Sequence, residues 1–234
     1  EYCVMEQQLA LNIPANWSFV EAAAVAEVFI TAGEALFELG NLEKGQTVLI
    51  HAGGSGVGTA AVQLAHYVGA TVYTTVGSAE KAQKVKSLGA DIVIDYKKQD
   101  FVKEIMSHTQ DEGVDLIFDF IGGAYLSRNL SILKPLGCLI LAGVLDGHAC
   151  EIDLLDVILR KLQIKGIAMR QRPLEEKVQI KQRFEKKRLP LLVEGKVKPV
   201  IHSVYPLEQV ALAHREMDEK RNVGKIILTI DHTS

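Results

Sequence analysis

The sequence predicts an α/β fold in which a doubly wound, six-stranded parallel sheet carries helices on both faces. Short apolar runs alternate with amphipathic stretches whose apolar residues are three and four positions apart. The apolar runs are rich in Val, Ile and Leu with little polar alternation, which is typical of strands covered on both faces. A glycine-rich turn, "GGSGVG" at 53–58, joins the first run of this unit to a helical pattern.

A long helix is expected ahead of the sheet. Ser18 and Glu21 have the spacing of a capping box, so the helix is expected to begin after Ser18. Apolar and alanine residues continue to Leu39, and Gly40 is expected to end the helix in the left-handed conformation.

The strands and helices of the sheet follow in alternation. The six expected strands are 47–51, 71–76, 91–95, 114–120, 137–143 and 162–169. Expected helices between them include 56–68, 79–88, 101–109 and 125–133. A charged helix over 174–194, a short strand, a helix starting near Pro206 and a final strand in "VGKIILTI" complete the chain. The first residues, "EYCVM", read like the inside of a strand.

Composition narrows the class of protein. With 48% hydrophobic residues among 234, the chain can bury a sizeable core. A net charge of −3 gives no electrostatic case for binding nucleic acid or an anionic membrane. Three cysteines, at 3, 138 and 150, form no CxxC pair and favour a reducing setting, so we predict a cytoplasmic protein. No apolar run approaches the roughly 20 residues of a membrane span, and no signal peptide is evident.

The turn at 53–58 predicts a nucleotide-binding site, because it lies between a strand and a helix whose N-terminus offers N–H groups to phosphates. The strict G-x-G-x-x-G fingerprint of Rossmann dinucleotide-binding folds is not met, because Thr59 occupies its last position. No Lys-Ser/Thr follows Gly58, which excludes a Walker loop. The alternative is a tight turn that only packs the helix on the sheet. The candidate residues are Gly53, Gly54, Ser55, Gly56, Val57 and Gly58.

The end of the second strand indicates NADP rather than NAD. An acidic residue there would bind the ribose 2′-hydroxyl of NAD, but the turn holds Gly77 and Ser78, and Glu80 already belongs to the next helix. Lys81 and the hydroxyl of Tyr96 would attract a 2′-phosphate. The alternatives are that Ser78 only caps the helix and that Lys81 is only a solvated side chain.

The sequence gives little support for a metal site or for a serine nucleophile. The histidines have no partner histidine or cysteine at metal-ligand spacing, and His51, at the end of a buried strand, is expected to be a hydrogen-bonded core residue. A nucleophile elbow G-x-S-x-G would need glycine where Val57 stands. We therefore assign no catalytic and no metal-binding residue.

Several segments together resemble a known family. "TVLIHAGGSGVGTAAVQLAHYVGA", "TVGSAEKAQKVKSLGAD", "VIDYKKQDF", "GVDLIFDFIGG", "LKPLGCLILAG" and "NVGKIIL" are similar to the zinc-independent quinone oxidoreductases of the medium-chain dehydrogenase/reductase superfamily. The similarity is strongest to the subgroup related to a damage-inducible quinone oxidoreductase, in which this variant glycine turn is normal.

The resemblance implies two domains, with a Rossmann domain inserted into a GroES-like barrel. Residues 1–20 would be a remnant of the catalytic barrel, 21–172 the NADP-binding domain and 173–234 the segment that returns to the catalytic domain. Family members carry roughly a hundred more N-terminal residues by this comparison, so we expect this chain to lack most of the barrel and to be weakly active or inactive alone.

The resemblance also implies a function and further site residues. It implies hydride transfer from NADPH to a quinone or related enone, in a homodimer or homotetramer that pairs through the edge of the sheet. The alternative is an NADPH-binding module without turnover. The further cofactor residues implied by position are Thr31, Ile121, Gly122, Leu141, Ala142, Gly143, Val144, Asn222, Gly224 and Lys225. Thr31 could instead bond its own helix backbone, and Asn222 could be only a turn residue.

Overall fold

The computed structural model of the chain describes residues 4–230. Its strands are β1 Thr47–Ile50, β2 Thr71–Val76, β3 Ile92–Asp95, β4 Val114–Asp119, β5 Leu133–Leu141, β6 Gln163–Gly166, β7 Ile201–Pro206 and β8 Lys225–Thr229. Its α-helices are α1 Phe19–Ala23, α2 Ala26–Gly33, α3 Gly56–Val68, α4 Ala79–Ser87, α5 Phe101–His108, α6 Tyr125–Ser131, α7 Leu154–Arg160, α8 Leu174–Lys187, α9 Leu189–Val193 and α10 Val210–Asp218. Short 3-10 turns occupy Gln7–Leu9 and Leu207–Gln209.

The first six strands form one parallel sheet in the order β3-β2-β1-β4-β5-β6, which confirms the predicted fold class. The chain runs outward from β1 to β3, returns to the centre, and runs outward again from β4 to β6. The strand order therefore reverses between β1 and β4. In such sheets ligands bind in the crevice at the carboxyl ends of the strands, where the order reverses.

Helices cover both faces of the sheet, as the unalternating strands predicted. One core cluster contains Val48 and Ile50 of β1 together with residues of α2 and α3. The other contains Leu49 of β1 together with Phe101 of α5 and Leu130 of α6. Successive residues of a strand point to opposite faces, so β1 contributes to both cores and is buried from Val48 to Ile50.

The helix ahead of the sheet begins as predicted but is not continuous. The Glu21 amide donates to the Ser18 hydroxyl and the Ser18 amide donates to the Glu21 carboxylate, which completes the capping box. α1 then ends at Ala23, α2 begins at Ala26, and a π-helical segment occupies Glu34–Leu39.

The expected left-handed end at Gly40 is wrong. Gly40 has φ −86° in the right-handed region, and Asn41 (φ 50°) takes the left-handed conformation instead. Glycine is needed at 40 for space, because a Cβ there would lie 2.8 Å from the Ala35 carbonyl oxygen and from the Leu116 side chain.

The expected helix over 174–194 is two helices, α8 and α9, that meet at Arg188. Pro190 explains the break, because its ring clashes with the carbonyl four residues earlier in a continuing helix. The strand expected at 137–143 starts four residues earlier, at Leu133, and the preceding helix ends at Ser131.

The first residues of the chain and the segment before β6 also bear on the sequence-based expectations. In the expected N-terminal strand, residues 1–3, including Cys3, lie outside the described residues, and Val4 and Met5 are not in a strand. Helix α7 was not expected; the Asp153 side chain caps it by accepting hydrogen bonds from the Leu155 and Asp156 amides. Among residues 4–230, no helix is long and apolar enough to cross a membrane.

The C-terminal strands β7 and β8 pair in parallel, and α10 connects them. The buried Gln63 of α3 joins this unit to the sheet domain: its Nε2 donates to the Lys198 carbonyl over 2.9 Å, and its Oε1 accepts from the Lys198 amide over 3.0 Å. The division at 1–20, 21–172 and 173–234 stays a prediction.

Replacing Gln63 should loosen this junction. Gln63→Leu leaves the Lys198 amide and carbonyl without their partner, which should cost about 1–3 kcal/mol of unfolding free energy. Urea unfolding followed by circular dichroism measures it. Gln83→Leu, at an exposed position of α4, is the matched control; an equal loss in both variants would contradict this role.

Candidate functional site

The glycine turn lies at the carboxyl end of β1, next to β4, where the strand order reverses. Ser55 caps α3, since its hydroxyl accepts from the Gly58 amide over 3.0 Å. Gly53 and Gly58 satisfy steric demands: a Cβ would stand 1.9 Å from the Thr74 hydroxyl oxygen in the first case and 2.3 Å from the Ala52 carbonyl oxygen in the second. These two glycines pack the turn against the sheet, as the packing alternative required.

Gly54 and Gly56 instead lie under lysine side chains. A Cβ at Gly54 would meet Lys81 at 3.0 Å, and a Cβ at Gly56 would meet Lys225 at 2.7 Å. Two flexible ammonium-bearing chains thus cross the turn at the N-terminus of α3, where helix N–H groups carry partial positive charge. This donor set fits a bound anion such as a pyrophosphate.

The predicted 2′-phosphate residues come together beside this turn. A Cβ on Gly77 would stand 2.6 Å from the Tyr96 hydroxyl oxygen, so glycine lets the phenol approach the backbone. Ser78 is the N-cap of α4, with its hydroxyl accepting from the Lys81 amide over 3.3 Å. The capping alternative is therefore present, and the Ser78 hydroxyl proton remains able to donate.

Lys81 is a half-buried cation among other cations. Burial lowers its pKa first, the nearby Lys97 and Lys220 lower it further, and Glu80 acts in the opposite direction. Lys220 was missed by sequence reasoning, since it follows α10, far from the glycine turn in the chain. The charges of Lys97 and Lys220 thus disfavour the charged form of Lys81, and a doubly charged phosphate beside Lys81 would offset that effect.

The loops after β4 and β5 form one block. The Asp146 amide donates to the Ile121 carbonyl over 2.8 Å, and a Cβ on Gly143 would stand 2.7 Å from the Phe120 carbonyl oxygen. Gly122 adopts φ 66°, a left-handed conformation that favours glycine. The structure thus brings together the residues implied by resemblance in these loops, Ile121, Gly122, Leu141, Ala142, Gly143 and Val144.

The C-terminal segment is fixed directly to the glycine turn. The Gly224 amide donates to the Gly54 carbonyl over 2.9 Å, and Gly224 forms a parallel bridge with Ser55. The Asn222 side-chain amide donates to the Gly224 carbonyl over 3.0 Å, which is the turn role named as its alternative.

Two residues of the site meet at Glu27 on α2. The Lys225 ammonium lies 3.1 Å from the Glu27 carboxylate. The Thr31 hydroxyl donates to the Glu27 carbonyl over 2.7 Å, so the helix-backbone alternative for Thr31 is what the structure shows.

An apolar groove of about 710 Å³ lies between the segment preceding α2 and strand β8. Trp17, Phe19 and Val20 form one wall, and Ile227 and Leu228 form another. Its lining is mostly apolar, so the groove offers contact surface and few hydrogen-bonding groups.

His51 is a hydrogen-bonded core residue, as expected. Its Nδ1 lies 3.0 Å from the Thr75 hydroxyl and its Nε2 lies 2.8 Å from the Asn129 side-chain oxygen. Burial lowers the pKa of His51, the charge of Asp119 and the Asn129 hydrogen bond oppose that change, and Arg128 adds to it. The buried imidazole is therefore neutral.

The sequence model of one family, described as "Zinc-binding dehydrogenase", matches residues 56–184, more than half of the chain. The human synaptic vesicle membrane protein VAT-1 homolog is 35% identical over 233 residues, covering 92% of this chain and 58% of its own length. The chain thus spans well under two thirds of that relative.

Solved structures agree in fold. An NAD-dependent alcohol dehydrogenase superposes with a TM-score of 0.82 at 34% identity, covering 93% of this chain and 61% of its own. A Pseudomonas syringae quinone oxidoreductase superposes with a TM-score of 0.83 at 27% sequence identity, and the match covers 93% of this chain and 67% of that one. The CurK enoyl reductase superposes with a TM-score of 0.80 at 30% sequence identity, and the match covers 94% of this chain and 65% of that one.

The family description names zinc, but the described residues do not fit a zinc site. Between residues 4 and 230, no group of three or more His, Cys, Asp or Glu side chains could hold a metal ion.

The neutral His51 predicts a loss of stability in mild acid. Below its ordinary pKa of ~6.5 an unfolded histidine takes up a proton that the buried ring resists, so stability falls as pH decreases from that value. This contribution should therefore be smaller at about pH 5.5 than at about pH 7.5.

Thermal unfolding across that range tests the sign. His51→Gln should flatten the pH dependence, whereas the exposed control His214→Gln should keep it. An unchanged dependence in His51→Gln would contradict a neutral buried imidazole.

Proposed function

The chain belongs to the zinc-binding dehydrogenase family of the medium-chain dehydrogenase/reductase superfamily of oxidoreductases, and we propose that it binds NADPH for hydride transfer to a quinone or related enone. The observation that carries the proposal is the group of lysines around Lys81, which meets the glycine turn at the N-terminus of α3.

The charge at the adenosine end favours NADPH over NADH. No carboxylate follows β2 to bind a 2′-hydroxyl, since Gly77 and Ser78 occupy that turn. The Lys81 ammonium and the Tyr96 hydroxyl would hold a 2′-phosphate, and Lys97 and Lys220 would balance its second charge.

The rest of the site would hold the dinucleotide by its backbone and loops. The α3 N-terminus, with Lys225 across Gly56, would bind the pyrophosphate. The block of Ile121–Gly122 and 141–144 would position the nicotinamide end, which supplies a hydride when bound. The chain's own contribution is therefore orientation and exclusion of water.

The acceptor class is inferred from the names of structural neighbours. A quinone and an enoyl group share a carbon–carbon double bond conjugated with a carbonyl, and both types of reductase are among those neighbours. A hydride adds to such an acceptor at carbon, the negative charge passes to the carbonyl oxygen, and the resulting anion can take up its proton from water. This chemistry is consistent with a site built from lysines and backbone amides without an assigned acid–base pair.

A non-catalytic NADPH-binding module is the second candidate. The residues assigned to the cofactor all lie within the described chain, whereas no residue is assigned to the acceptor. NADPH oxidation with an ortho-quinone and with an enone distinguishes the two when this chain is compared with a form extended to the length of its relatives. Turnover by the longer form supports the reductase, and binding without turnover by both forms supports the module.

We also propose that the protein is a homodimer or larger. β6 is an edge strand of the sheet. Helix α7, which precedes β6 in the chain, exposes an apolar face on which Leu155, Ile158 and Leu159 are 61–71% exposed. An unpaired apolar edge favours association with a second copy.

NADPH should bind at least tenfold more tightly than NADH, a difference of about 1.4 kcal/mol. Lys81→Ala should remove a charge-assisted hydrogen bond and weaken NADPH binding by about 1.5–3 kcal/mol, with little effect on NADH. Fluorescence titration measures both affinities. Lys84→Ala, at an exposed position of α4, is the control, and an equal loss for both cofactors would contradict a 2′-phosphate role.

The chain should have at least a dimer's mass by light scattering at micromolar concentration. Leu159→Glu would place a charge in the proposed interface and should yield monomers. Leu212→Glu, on the exposed side of α10, should leave the mass unchanged. A monomeric wild-type chain would refute this proposal.

A further inference from the structure

A buried hydrogen-bonded network of polar side chains connects the carboxyl ends of β1, β2 and β4 at the candidate site. Thr75 of β2, His51 after β1, Asp119 of β4 and Asn129 of α6 are all at most 2% exposed. The His51 ring contacts Thr75 and Asn129, and the Asn129 side-chain amide donates to Asp119 Oδ2 over 3.1 Å. Buried polar groups are costly unless their partners are fixed.

The direction of every hydrogen bond follows from Asp119. Its carboxylate accepts from the Ile121 amide over 2.7 Å and from the Gly122 amide over 3.2 Å. A carboxylate can only accept, so Asn129 must turn its NH₂ toward Asp119 and its carbonyl oxygen toward His51. His51 therefore carries its proton on Nε2, and its bare Nδ1 accepts from the Thr75 hydroxyl.

The two ends of this hydrogen-bonded network lie on the two halves of the cofactor cleft, the glycine turn and the loop that follows β4. At one end the Thr75 hydroxyl accepts from the amide of Ala52, which leads into the glycine turn. At the other end Asp119 holds the amides of Ile121 and Gly122 in the block assigned to the nicotinamide end. The links run through buried side chains across the point where the strand order reverses.

Aromatic and cationic side chains separate this hydrogen-bonded network from solvent. Phe101 and Tyr125 pack edge-on against the His51 ring, with centroids 5.0 Å and 5.2 Å away. The Arg128 guanidinium covers Phe101 at 4.3 Å and pairs with Asp100. The four polar groups therefore exchange hydrogen bonds with one another and with backbone amides.

We propose that Asp119 is a positioning residue that, through Asn129 and His51, fixes the Ile121–Gly122 loop relative to the glycine turn so that both halves of the cofactor cleft are preorganised. This inference rests on the proposed function, because the cleft is assigned to NADPH. Both cofactors share the nicotinamide end, so the effect of losing Asp119 should not depend on the 2′-phosphate.

The substitution Asp119→Asn tests the arrangement with almost no change in shape. An amide at 119 presents an NH₂ to Asn129, which must rotate its own amide, and the His51 proton then moves from Nε2 to Nδ1. The Gly122 amide loses its acceptor. The matched control is Asp115→Asn, at the opposite end of the same strand β4. The Asp115 carboxylate accepts a hydrogen bond from the Thr47 amide over 2.7 Å, away from the cleft.

Two measurements are made on each protein. Nitrogen-15 NMR of the imidazole reports which nitrogen of His51 carries the proton, and fluorescence titration gives the dissociation constants of NADPH and NADH. We expect Nε2–H in the wild type and in Asp115→Asn, and Nδ1–H in Asp119→Asn. We expect Asp119→Asn to weaken both cofactors by about tenfold, and Asp115→Asn to weaken neither.

The outcomes separate the inference from the proposed function. A wild-type His51 protonated on Nδ1, or Asp119→Asn affinities equal to those of Asp115→Asn, would overturn the inference. A wild type that binds neither cofactor would refute the proposed function, while the NMR result still tests the hydrogen-bond direction. Should Asp119→Asn not fold, Thr75→Val tests the other end: it should keep Nε2–H and weaken both cofactors, and unchanged affinities would overturn the inference.

Discussion

The strands of the parallel sheet all have their carboxyl ends on the same side of the sheet. Because the strand order reverses between β1 and β4, the loops that follow these two strands diverge and leave a crevice between them. The rest of the candidate site depends on this constraint. The glycine turn follows β1, the Ile121–Gly122 loop follows β4, and the crevice between them faces the N-terminus of α3. Helices packed on both faces leave this edge as the place where backbone amides remain open to a ligand.

Charge is the basis of the preference for NADPH that we propose for this crevice. The chain as a whole has a net charge of −3, yet Lys97 and Lys220 are close enough to lower the pKa of Lys81. Lys225, whose ammonium pairs with Glu27, crosses Gly56. Positive charge around Lys81 disfavours its charged form in the absence of a ligand. The proposed binding of NADPH rests on the expectation that a multiply charged anion would offset this unfavourable interaction.

Local patterns predicted much of the fold and some of the contacts within the candidate site. The capping box at Ser18, the helix over 56–68 and the parallel strands all follow from short-range rules of spacing and capping. Those rules did not predict the conformation of Gly40, which depends on contact with Leu116 in a distant strand, or the contribution of Lys220. The direction of the hydrogen bonds around Asp119 also required coordinates, because Thr75, Asp119 and Asn129 are far apart in sequence.

A crystal structure of the chain with bound NADP⁺ would show which residues contact each part of the cofactor. We expect the pyrophosphate at the N-terminus of α3, over Gly54 and Gly56. The 2′-phosphate should lie within hydrogen-bonding distance of the Lys81 ammonium, and the nicotinamide should lie beside the Ile121–Gly122 loop. A cofactor whose 2′-phosphate lies away from Lys81, Tyr96 and Lys220, or that binds outside the crevice between β1 and β4, would contradict the proposed site.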